Sequence, residues 1–108
     1  MNQVYRPVNN LRALKSPLET LIAKAEEKKR LAHMHTTLED LLWESQCLAT
    51  SRFHSTDEVR AFLSRLQSVM TGIVPKDSKS IAKARATVNS IAELTRSDMD
   101  RIAASARF

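Results

Sequence analysis

At 108 residues, 43% hydrophobic and 27% charged, the chain is long enough to bury a core and too apolar to be disordered throughout. Its single glycine, three prolines and single cysteine argue against a turn-rich β domain and exclude an intrachain disulfide. The net charge of +5, with a pI near 9.8, admits an anionic partner, but residues 1–54 hold eight basic and six acidic groups and residues 55–108 nine and six, so the excess is spread rather than gathered.

Residues 1–15 carry Arg6, Arg12 and Lys15, no acid and no strong period, and read as a flexible or loosely docked tail. Within it Val8, Leu11, Ala13 and Leu14 could pack onto the body as a partial turn. Ser16-Pro17-Leu18-Glu19 has the form of a capping box with proline at the first helical position. Apolar residues then fall on one helical face at Leu18, Leu21, Ile22 and Ala25. After the charged run Glu26–Arg30 the spacing becomes 3,4,3,4,3 through Leu31, Met34, Leu38, Leu41, Ser45 and Leu48, a heptad seam with one polar intruder. This predicts one long helix over about 17–49, bent or broken near His33–Thr37, where helix propensity dips.

Ser55-Thr56-Asp57-Glu58 is a further capping box, with acids in the first turn where the helix dipole favours them. Val59, Phe62, Leu66, Val69 and Ile73 repeat at 3,4,3,4, which predicts a helix over about 56–71 closed by a left-handed cap at Gly72, with Pro75 beyond. Asp77 or Ser78 can cap a third helix, in which Ile81, Ala84, Val88 and Ile91 continue the stripe. The stripe falters at Thr95 and Asp98. Either one helix runs over about 78–106, or a short fourth helix starts at Asp98.

Amphipathic segments joined by short connections imply an all-α fold. Two arrangements satisfy the pattern: an antiparallel three-helix bundle, or a helical hairpin completed by a second copy. The greater length of the first helix favours the hairpin, because part of its seam would otherwise lack cover. Leu31, Met34, Leu38 and Leu41 form the seam that two copies would share in a homo-oligomer, a dimer in the simplest case. The first sixteen residues lack the apolar run of a signal peptide, no stretch reaches the ~20 apolar residues of a membrane span, and the expected location is cytoplasmic.

Catalytic and metal chemistry find little support. On a helix His33 and His35 point roughly 200° apart, too far to chelate, and His54 and Cys47 have no local signature beside them. Phosphate-cradling loops need glycines that this chain lacks. The sequence therefore predicts no enzyme, no cofactor and no metal.

Trp43 stands out because it lies about 170° from the centre of the seam at 100° per residue, with Cys47 one turn later. A tryptophan off the core face either packs on a third helix or the tail, or meets another molecule. The predicted function is a non-enzymatic interaction module, an adaptor, small chaperone or regulator that contacts a partner protein through Trp43, Cys47, Asp40 and Leu48. The alternative is a DNA- or RNA-binding regulator using Arg6, Arg12 and Lys15 of the tail with Lys76, Lys79, Lys83 and Arg85, which requires these cations to converge on one surface.

Overall fold

The computed structural model describes residues 3–4, 8–27, 29–51, 54–73 and 78–105, and these form an antiparallel helical bundle. A two-residue strand β1 (Gln3–Val4) leads to a 3-10 turn over Asn9–Leu14, which passes directly into α1 (Lys15–Glu27). A second 3-10 segment, Lys29–Met34, joins α1 to α2 (His35–Thr50). Strand β2 (His54–Ser55) pairs antiparallel with β1 and opens into α3 (Thr56–Thr71), and α4 (Lys79–Ser105) is the last described element.

The long first helix predicted over 17–49 is thus two helices, parted by the 3-10 segment Lys29–Met34, which begins before the predicted dip and overlaps it. Burial explains the break. A continuous helix would leave its seam uncovered, whereas folding back sets α1 against α2 and puts Leu18, Leu21, Ala25, Leu38 and Leu41 in one core. Each buried leucine contributes about 1.5–3 kcal/mol, which outweighs the few helical hydrogen bonds lost at the bend. The fourth helix therefore arises here and not at Asp98, through which α4 runs without interruption.

Successive helices run in opposite directions. Glu26 at the end of α1 meets His35 at the start of α2, Arg65 of α3 pairs with Glu44 of α2, and Arg60 of α3 reaches Asp100 of α4 at 2.8 Å while Arg85 donates to the Met70 carbonyl at 2.8 Å. α4 packs along both α1 and α3. Ser45 and Thr95, the polar residues that interrupt the apolar stripes, are buried without penalty because their hydroxyls donate to the carbonyls of Leu42 and Ile91 at 2.7 and 2.8 Å.

Of the readings open to residues 1–15, Asn9–Leu14 takes the partial turn packed on the body and not the loose tail. Leu11 and Leu14 are both 0% exposed, the Val8 amide donates to the Leu48 carbonyl at 3.2 Å, and Asn10 donates to Asp98 at 2.6 Å. Three apolar residues at 3-10 spacing are enough to seat the segment between α2 and α4. Ser16 consequently lies inside helix rather than capping it, and its carbonyl accepts from the Thr20 hydroxyl.

The other two ends behave differently. Ser55 caps α3 by accepting the Glu58 amide at 3.1 Å, and Ser78 accepts the Ile81 amide at 3.3 Å ahead of α4. Gly72 does not adopt the predicted left-handed cap: its φ of −77° and ψ of −9° continue the right-handed turn. No helix among the described residues is long and apolar enough to cross a membrane.

Candidate functional site

The apolar stripe of α2 turns Leu38, Leu41, Leu48 and Ala49 inward, so helical geometry sends residues 40, 43 and 47 outward. Trp43 is 73% exposed, and Asp40 is exposed beside it with Cys47 half-buried one turn on. Among the described residues Trp43 is covered neither by a third helix nor by the segment before α1. The other large exposed apolar side chain among the described residues is Leu94, on α4.

Trp43 forms one wall of a groove of about 550 Å³ between α1 and α2. Ile22 and Leu42, half-buried against the core, make its apolar floor, and Ala23 faces Trp43 from α1. The rim is charged: Lys15 and Glu19 toward one end, Glu26 and Glu39 toward the other. The imidazole of His35 sits between the last two, Nε2 at 2.9 Å from Glu26 and Nδ1 at 2.9 Å from Glu39, and ties the end of α1 to the first turn of α2. Among the described residues Glu19 and Asp40 have no ion pair or hydrogen bond of their own. The groove thus offers apolar area, an aromatic face and carboxylates, which are means of contact.

Two groups of predicted contact residues fall elsewhere. Leu48 is only 7% exposed and belongs to the core, since it lies on the inward stripe with Leu41. The seam assigned to a second copy is likewise occupied within the chain: Leu31, Leu38 and Leu41 are buried and Met34 is partly buried against them. The hairpin of α1 and α2 supplies the cover that a dimer was expected to provide.

Nor are the candidate nucleic-acid contacts brought together. Arg12, whose guanidinium donates to the Ala49 carbonyl at 3.4 Å, and Lys15 lie at the end of the bundle where Asn10 meets Asp98. Lys83 and Lys79 are exposed on the opening turns of α4, about 22 and 28 Å from that end at 1.5 Å per residue, and Arg85 is engaged with the α3 terminus. Arg6 and Lys76 lie outside the described residues. His33, His35, His54 and Cys47 do not gather into a metal-holding group among the described residues.

Among the described residues His54 is the one titratable group with a clear perturbation. Its side chain is 5% exposed, neither ring nitrogen has a hydrogen-bond partner among the described residues, and burial pushes its pKa below the ordinary histidine value despite the opposing charge of Glu58.

The groove's α1 wall was not singled out from the sequence. Glu39, Leu42 and Gln46 can be found from Trp43 by helical spacing alone, but Glu19, Ile22, Ala23 and Glu26 join them only once α1 and α2 fold against each other. No protein-family model matches this chain, and comparisons with curated proteins and with solved structures likewise return no match.

Proposed function

We propose that the chain is a non-enzymatic interaction module that binds a partner protein through the outer face of the α1–α2 hairpin, serving as an adaptor, small chaperone or regulator. The observation that carries this reading is the exposure of Trp43 on the wall of an apolar-floored groove. Leaving a tryptophan in water forfeits a large apolar contact, and tryptophan is enriched among residues that dominate binding energy. Asp40 and Cys47 extend the same face, while Leu48 supports it from the core side.

The test compares the tagged protein with Trp43→Ala in capture from lysate of the source cells, with nuclease treatment and high-salt washing as separate arms. The expected outcome is a stoichiometric protein partner that survives both treatments and is lost with Trp43→Ala. Because Trp43 supports no core contact, that variant should keep its circular dichroism and lie within about 0.5 kcal/mol of the parent in stability. Bound material released by nuclease, or an equal yield with the variant, overturns the reading.

A further inference from the structure

We propose that the groove between α1 and α2 receives an amphipathic helix rich in lysine or arginine from another protein; this rests on the interaction reading above and specifies the partner's chemistry. Three carboxylates, Glu19, Glu26 and Glu39, rim the groove against one lysine, Lys15; Glu26 and Glu39 share the imidazole of His35, and Asp40 adds a fourth carboxylate on the same outer face of α2. This acidity runs against the chain as a whole, which carries +5. It is therefore a property of the groove and not of the composition.

Charge and apolar surface point to one occupant. Lysine and arginine lay aliphatic stems on apolar area while their heads reach carboxylates, and either head stacks on an exposed indole. Glu19 is available to such a head because it has no partner of its own among the described residues. Glu19 and Glu26 are seven residues apart on α1, two turns, so they match cations spaced two turns apart on a facing helix. The groove walls are both helices and offer no strand edge, which favours a helix seated between ridges over an extended peptide. From Lys15 to Glu26 the α1 wall runs about 16 Å, room for three helical turns.

The experiment uses the full chain and two tryptophan-free peptides, one of leucine and lysine patterned so that leucines share a helical face, the other with glutamate in place of every lysine. Trp43, the only tryptophan, reports occupancy through its emission. The lysine peptide is expected to shift that emission to the blue, to saturate, and to bind about tenfold or more weakly at high salt, whereas the glutamate peptide leaves it unchanged. Non-specific attraction to a chain of net charge +5 would favour the opposite order. Glu19→Gln, which breaks no internal pair, should weaken binding about threefold, and Glu19→Gln with Glu26→Gln and Glu39→Gln about tenfold or more. Equal response to both peptides overturns the cationic class while leaving an apolar groove. No response to either overturns it too, and the Trp43→Ala capture then decides the broader reading separately. Emission of the protein alone that changes with its own concentration, together with a sedimenting dimer, assigns the groove to a second copy and overturns the proposal.

Discussion

His54 illustrates how one side chain sets a condition for folding. Its ring is buried and its folded-state pKa lies below the ordinary value of about 6.5 because desolvation disfavours the imidazolium. Above that value folded and unfolded chains are both neutral at this site, and its contribution is fully present. As pH falls below it, the unfolded chain takes up a proton that the folded chain refuses, so stability declines until the folded value is passed. Urea midpoints at neutral and mildly acidic pH should therefore fall further in the parent than in His54→Gln; parallel profiles would refute the assignment. Gly72 invites the opposite kind of change. With right-handed backbone angles it needs no glycine, and an added Cβ would sit close to the terminal methyl of Met34 at 3.0 Å, the far end of a flexible side chain, and at ordinary contact from the Val69 and Ser68 carbonyls. Gly72→Ala should raise stability by about 0.5 kcal/mol, read as a thermal midpoint roughly 2–4 °C higher.

At the level of elements, the 3-10 turn Asn9–Leu14 acts as part of the core although nothing in its spacing resembles an α-helix. Leu11→Ala and Leu14→Ala are each expected to cost about 2–5 kcal/mol in chemical denaturation, the range for emptying a closed core site. A frayed tail would lose almost nothing. That prediction marks where sequence reading stopped. The stripes of α3 and the first half of α4 and the Ser55 cap were legible because they are encoded in neighbours three and four apart. The break over Lys29–Met34 showed in the sequence only as a dip in propensity near His33–Thr37, and the seating of Leu11 and Leu14 only as one of two options, because each is decided by what the segment covers across the bundle. The continuity of α4 past Asp98 belongs to the same class, since Thr95 is satisfied locally but Asp98 is held by Asn10 from the chain's other end. Trp43 was legible as off-core, and the groove it lines was not.

As a whole, the molecule is a narrow rod of 50 × 20 × 18 Å. Its radius of gyration of 14.5 Å exceeds the roughly 13 Å of a compact domain of this size, as expected when four helices lie side by side. The seam residues are spent on the chain's own core, and the groove lies on the outer α1–α2 face. Small-angle scattering of the purified chain is expected to give a monomer mass with an elongated profile. A dimer mass that persists on dilution would mean that the seam reading deserves return.

The contact of Asn10 with Asp98 spans 88 residues, and the 3-10 turn it anchors needs both the end of α2 and the far part of α4 already in place. Closing so long a loop before those helices exist sacrifices chain entropy without return. The hairpins α1–α2 and α3–α4 are therefore expected to assemble early and the Asn9–Leu14 segment to dock after the rate-limiting barrier. Stopped-flow measurements on Leu11→Ala should show unfolding accelerated and refolding almost unaltered, so that this segment governs how long the native state lasts rather than how quickly it is reached.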